Sequence, residues 1–216
     1  MYDLHTHSLL SDGQLLPSEL VRRCKVLGYK GIAITDHIDA SNIEIVLPKI
    51  VLVCKRLTIS SGIIVIPGAE LTHIPLMDMD GLVRQSRLLG AKLILVHGQT
   101  LSEPVIPGTN RKAISCDIDI LAHPGLITPE EVRLAAKKGI YLEITTRRSH
   151  AYTNGHVAKL AKLIGAKLVL NSDSHAPEDL MPPIAAEKIA LGAGLMNSDV
   201  LTMRKNAQRL INKLIR

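Results

Sequence analysis

Seven short apolar runs in this chain each lead to a residue that can bind a metal ion or move a proton. Tyr2 to Leu4 ends at His5, Gly31 to Thr35 leads through Asp36 to His37, and Ile63 to Ile66 leads to Glu70. Lys92 to Val96 delivers His97, Ile118 to Ala122 delivers His123, Ile140 to Leu142 delivers Glu143, and Lys167 to Leu170 runs on to Asp173. Successive members of this series stand 20 to 33 residues apart, the size of one strand–helix unit. Helical stretches fill the intervals. They run from Pro17 to about Leu27, from about Asn42 to Thr58 with Pro48 marking a start or kink, over 78 to 89, from Pro129 to Gly139, and over 154 to 164. Gly98 to Asn110, with Pro104, Pro107 and Gly108, reads as the longest irregular segment and a candidate substrate loop. Strand and helix thus alternate seven times, which predicts an α/β fold with parallel strands covered on both faces. In (β/α) barrels the active site is built at the C-terminal strand ends, so seven strands would place a His, Asp or Glu on one ring.

The core of such a fold must be aliphatic here. Phe and Trp are absent and Tyr occurs four times, yet 46% of residues are hydrophobic. No linker or low-complexity tract divides the 216 residues, so one domain over 1–216 is expected, closed by helices at about 183–194 and 199–214. Cys24, Cys54 and Cys116 are widely spaced, without a Cys-x-x-Cys pair, and read as free thiols. No run is long and apolar enough for a membrane span, and donors that begin at residue 5 leave no room for a signal peptide, so a cytoplasmic location is expected. The formal charge of +6 points to an anionic partner without choosing between a small phosphate ester and nucleic acid.

The opening segment His5-Thr6-His7-Ser8-Leu9-Leu10-Ser11-Asp12-Gly13 carries the densest chemistry. Residues two apart in extended chain face the same side, so His5 and His7 aim two imidazoles at one point. Asp12 adds an oxygen donor. Glu70 has two oxygens with which to bridge neighbouring cations, His97 and His123 can complete one ion, and His5, His7 and Asp173 another. His37 and His175, with Asp12, could hold a third. Three divalent ions facing Glu70, Asp173 and Asp12 would leave about +3 at the site, which favours a phosphoryl group and its transition state.

Taken in order, His-Thr-His with Ser-Asp-Gly, Thr35-Asp36-His37, Gly68-Ala69-Glu70, His97, Ala122-His123-Pro124 and Ser172-Asp173-Ser174-His175 resemble the polymerase and histidinol phosphatase (PHP) superfamily over essentially the whole chain. The resemblance implies a distorted seven-stranded (β/α) barrel holding two or three Zn, Mn or Fe ions and hydrolysing phosphoesters. It implies metal ligation by His5, His7, His37, Glu70, His97, His123, Asp173 and His175, and by Asp12 where some members carry histidine. The expected mechanism is attack by a metal-bound hydroxide on phosphorus, with another ion steadying the leaving oxygen.

Other residues take secondary roles. Asp36 is a proton carrier or, preferably, a support for a ligand. Glu143 either lines the pocket or is a solvated strand-end acid. Arg147, Arg148 and His150 follow the sixth apolar run and could grip a substrate phosphate, Arg147 through a bidentate fork; the alternative is an exposed loop. Arg111 and Lys112 are weaker candidates, and His73 and His156 fall outside the strand-end pattern. The function expected first is a phosphomonoesterase resembling histidinol phosphatase, with a small anionic phosphate ester as partner. A phosphodiesterase or exonuclease on nucleotides or nucleic-acid ends comes second. A metal-stabilised binding subunit without turnover comes third, opposed by the complete donor set.

Overall fold

The computed structural model describes residues 1–215. Its strands are β1 (Tyr2–Asp3), β2 (Gly31–Ile34), β3 (His37–Ile38), β4 (Ile64–Leu71), β5 (Leu93–His97), β6 (Ile120–Ala122), β7 (Tyr141–Thr145) and β8 (Leu168–Asn171). All pair in parallel in the order β1-β2-β4-β5-β6-β7-β8, and the two-residue β3 lies on β4 beyond the end of β2. β2 and β3 are in effect one strand interrupted at Thr35-Asp36, so that His37 falls opposite Glu70 in the ladder. The seam between β1 and β8 is drawn together past their ends. Asp173 N donates to His5 O and His7 N donates to Ser174 O, each at 2.9 Å. The result is a nearly closed α/β barrel of seven parallel strands, as the alternation of runs predicts.

Side chains on each strand alternate between two cores. Leu93 and Leu95 of β5 and Tyr141 of β7 join an inner cluster. Ile94, Val96, Leu142 and Ile144 join an outer one against the helices. Those helices are α1 (Pro17–Val26), α2 (Ile43–Ser61), α3 (Met79–Leu88), α4 (Thr109–Ser115), α5 (Pro129–Lys138), α6 (Asn154–Ile164), α7 (Pro183–Gly192) and α8 (Asn197–Leu214). Ala207, Leu210 and Ile211 of α8 complete the inner cluster, so this last helix stoppers the barrel at the end where the strands begin. The opposite mouth, at the strand ends, is left to polar residues. No described helix is long and apolar enough to cross a membrane.

Helix ends follow local chemistry. Thr128 caps α5 in a reciprocal capping box with Glu131, Pro129 sits in the first turn, and Gly139 ends the helix at φ 74°. Two segments depart from the sequence expectation. Pro48 lies inside α2 on its solvent side, and the helix runs on to Ser61 before Gly62 turns the chain. The irregular stretch expected over 98–110 stops at Gly108, where α4 begins. Residues 177–179 form a single 3₁₀ turn. All three cysteines are free and buried.

The tightest backbone crossing joins the ends of β5 and β6. Gly125 has φ +63°, and a Cβ there would stand 1.8 Å from Gln99 O. Gly165 shares a positive φ of +87° but has nothing within 4 Å. Gly125→Ala is therefore expected to cost more than about 3 kcal/mol, against roughly 1–2 for Gly165→Ala, where only the backbone penalty applies. Urea midpoints of the two variants measure the difference, and equal losses would remove the steric explanation.

Candidate metal centre

The polar mouth gathers all nine donors expected from the sequence. His5 Nε2 stands 3.2 Å from Glu70 Oε2 and 3.5 Å from Asp173 Oδ1. His7 Nε2 approaches the same two oxygens at 3.5 and 3.2 Å. His37 Nδ1 is 2.9 Å from Glu70 Oε2, whereas His123 Nε2 is 3.5 Å from Glu70 Oε1. The two carboxylate oxygens of Glu70 thus face different imidazoles, the arrangement a bridging ligand needs. On the open side Asp12 lies 3.3 Å from His175 Nε2 and 3.5 Å from His37 Nε2. His97 Nδ1 bonds to Gly98 O at 3.1 Å, which turns Nε2 inward. His123 and Asp173 have positive φ values of 25° and 53°, backbone strain of the kind that clusters at functional sites.

The donor chemistry suits divalent cations. His5 Nε2, both ring nitrogens of His7, both carboxylate oxygens of Glu70 and His123 Nδ1 are buried without a hydrogen-bond partner. Buried polar atoms left without a partner are costly, and a cation held by one nitrogen of each imidazole and by the carboxylate oxygens would relieve that cost. Within the described residues, His7, Asp12, His37 and His175 form one group of donors within 4.8 Å of each other, His5, His7 and Glu70 a second, and His5, His123 and Asp173 a third. The residues present therefore fit a multi-metal site.

Charge is shared unevenly among them. Burial pushes His7 down to about 3, helped by its neighbours His37 and His175. Burial also opposes charge on His37, but Glu70 and Asp12 outweigh it and raise that ring to about 10. His5 likewise rises because the carboxylates of Glu143, Glu70 and Asp173 overcome its burial. Glu70, although fully buried, is held well below the usual carboxylate range by His5 and His37. Carboxylates in this mouth stay ionised, as cation ligands must.

Supporting residues sort themselves by contact. Asp36 accepts hydrogen bonds from the backbone N–H and hydroxyl of Ser8 and of Ser11, at 2.7 to 3.1 Å. It clamps the turn between His7 and Asp12 and does not line the cavity, so its contacts are those of a support for the His7–Asp12 turn. Glu143 is neither pocket-lining nor solvated. Fully buried, it bonds His5 Nδ1 at 2.8 Å, Asn171 Nδ2 at 2.7 Å and His123 N at 3.1 Å. An acceptor-only carboxylate at Nδ1 holds a proton there, so that His5 would meet a bound cation through Nε2. Glu143→Gln is expected to weaken metal binding about 10–100-fold with the fold retained. Calorimetric titration with Zn(II) measures this, and unchanged affinity would deny Glu143 that role.

Arg147 reaches the mouth, where Nη1 donates to Asp173 O at 3.0 Å and also meets His175 Nδ1. Arg148 is exposed. Arg111 and Lys112 face Glu130 and Asp80 on the surface, and His156 bonds Ile127 O, all away from the cavity. Sequence reasoning missed Glu103, whose Oε2 is 3.1 Å from both His97 Nε2 and His73 Nε2. Nothing in its proline-rich surroundings announced it. A cavity of about 400 Å³ opens over the centre, lined by Asp12, His37, His97, Glu103, Arg147 and His150 among others.

Fold and mouth together define an α/β barrel built around buried His, Asp and Glu clusters suited to several metal ions. The chain belongs to the PHP domain family, which matches it over residues 3–162. It is 47% identical over 201 residues, 92% of each chain, to the uncharacterized protein MJ1295 of Methanocaldococcus jannaschii. It is 28% identical over 229 residues to Ribonuclease P protein component 3 of Methanosarcina mazei, covering 98% of this chain and 88% of that one. Among solved structures, its fold is shared with YwqE from Bacillus subtilis and CpsB from Streptococcus pneumoniae, described as metal-dependent tyrosine phosphatases. The TM-score is 0.65 at 18% identity, over 98% of this chain and 94% of that one. A putative histidinol phosphatase from Listeria monocytogenes aligns with TM-score 0.62 at 14% identity, over 86% and 99% of the two chains.

Proposed function

We propose that this protein is a metal-dependent phosphoesterase acting on small phosphate monoesters, with two or three divalent ions (Zn, Mn or Fe) held by His5, His7, Asp12, His37, Glu70, His97, His123, Asp173 and His175. The observation that carries the reading is the convergence of these nine donors on one mouth, several of them with buried atoms that no protein group satisfies. Held there, divalent ions would supply Lewis acidity toward phosphoryl oxygens and would lower the pKa of a coordinated water to about 7.

The protein's own residues set the geometry. Glu143 holds His5 in one tautomer, and Asp36 holds the turn that presents His7 and Asp12. Arg147, anchored on the Asp173 carbonyl at the cavity wall, offers its remaining guanidinium N–H groups to a phosphoryl oxygen. The cavity of about 400 Å³ has the volume of a small-molecule site, which supports a small ester over a polymer.

A second reading, action on RNA or on nucleic-acid ends, draws on the relative named as a ribonuclease P component and on the net charge of +6. The absence of Phe and Trp, with four Tyr, weighs against base stacking. A screen of metal-reconstituted protein against histidinol phosphate, nucleotides, cyclic phosphodiesters and short oligonucleotides separates the two. Monoester hydrolysis is expected, with KM raised in Arg147→Ala and little dependence on salt. Activity confined to oligonucleotides, falling ~10³-fold or more between 50 and 200 mM salt, would favour the nuclease instead.

A further inference from the structure

The wall of the mouth next to His97 carries more donors than the nine. His150 lies on the loop after β7 and is 4% exposed. Its ring stacks on that of His123, with centroids 4.1 Å apart and planes inclined by 21°, and meets His97 edge-on at 5.8 Å. His97, His123 and His150 each offer a nitrogen within 4.8 Å of the other two. On the site-facing side His150 Nε2 stands 3.7 Å from Asp173 Oδ2, the same oxygen that His123 Nε2 approaches at 3.7 Å, and 3.4 Å from Glu103 Oε1. Donors about 2.0–2.1 Å from a tetrahedral ion stand roughly 3.3–3.4 Å apart, close to these separations.

The far side of the ring is prepared as well. Nδ1 sits 2.7 Å from Thr100 Oγ1 and 2.8 Å from Ser102 Oγ, and the two hydroxyls are 3.0 Å from each other. A hydroxyl can accept as readily as it donates, so this pair can receive the Nδ1 proton whenever Nε2 gives its lone pair to a cation. Metal-binding imidazoles usually have such an outer acceptor. His97 has one in Gly98 O, and His5 has one in Glu143.

We propose that His150 is a further metal ligand, completing with His97 and His123 a three-imidazole set for one ion of the centre. Glu103 adds a carboxylate on the same side, in reach of His97, His73 and His150. The loop carrying Thr100, Ser102 and Glu103 is then part of the metal site rather than a cover over it. The three imidazoles themselves are neutral, so the negative charge beside an ion here comes from neighbouring carboxylates such as Asp173 and Glu103. This inference rests on the multi-metal reading of the site.

The test is titration of metal-depleted protein with Co(II), read by visible absorption and by metal content after gel filtration. His150→Ala and His150→Gln are expected to bind the affected ion more than about 100-fold more weakly, exceeding the ~10–100-fold loss typical of removing a ligand's outer partner. Both should change the cobalt spectrum. Gln retains hydrogen-bonding capacity toward a phosphate, so a substrate-gripping role would leave metal binding unaltered in that variant. Thr100→Val combined with Ser102→Ala leaves the imidazole in place and should cost about 10–100-fold, which guards against misfolding of the His150 variants. Wild-type stoichiometry, affinity and spectrum in the His150 variants, with loss of an ion in His123→Ala, would overturn the proposal and leave the multi-metal reading standing. Absence of cobalt from the wild-type protein would overturn both.

Discussion

Stripping divalent metal from the protein with a chelator is expected to lower its thermal midpoint by roughly 10 °C. The physical source is the crowd at the barrel mouth, where His7 and His175 rings stack at 4.0 Å and His7 and His37 lie 4.3 Å apart. Both nitrogens of His7, Nε2 of His5 and both oxygens of Glu70 are sealed from water with no hydrogen bond in return. A ligand that binds only the folded chain adds RT ln(1 + [L]/Kd), or about 4 kcal/mol at a thousandfold excess over Kd. For a chain of this length each kcal/mol moves the midpoint by about 2–4 °C, giving a shift of roughly 8–16 °C. Calorimetric scans with Zn(II) or Mn(II) and with EDTA measure it. Superimposable scans under all conditions would mean that the donors satisfy one another and that the metal-site reading is wrong.

Glu70→Gln is expected to abolish turnover, by on the order of 10³-fold or more, about 4 kcal/mol in transition-state stabilisation. Glu70 is fully buried, and its two oxygens are directed at separate imidazoles, Oε2 toward His5, His7 and His37 and Oε1 toward His123. Glutamine preserves the volume and the burial but halves the number of oxygens and removes the charge. Bound metal should therefore fall by at least one equivalent while the circular dichroism of the barrel persists. Full metal content with undiminished hydrolysis would defeat the bridging assignment, whatever became of the other eight donors.

The parts of this architecture legible in the sequence are those governed by periodicity. Apolar runs of strand length with helical intervals make the barrel, and a donor placed just after each run comes to the mouth because parallel strands end on the same side. Elements held by tertiary contact were not legible. β3 has two residues and exists because β4 continues past β2. α4 has seven residues, and its buried face of Thr109, Asn110, Ala113 and Ile114 is half polar, with Asn110 buried to bond Gln99 N and Pro124 O. Asp36 reads in the sequence as a support for a ligand in preference to a proton carrier, but the segment it holds is not legible there, because its partners Ser8 and Ser11 lie 25 and more residues earlier. Glu143 sits at a strand end like the nine donors, and only its bonds to His5, His123 and Asn171 distinguish it from them. Glu103 became visible only once a loop had folded back over His97.

The seam between β1 and β8 also bears on when the protein can mature. His5 and His7 are synthesised more than 160 residues before Asp173 and His175, their companions at the mouth. A nascent chain can therefore form most of its sheet by accretion, strand upon neighbouring strand, while its earliest imidazoles wait without counterparts. The donor cluster is thereby complete only after residue 175 has been made, and a product truncated before β8 keeps His5 and His7 without the partners that face them in the folded barrel.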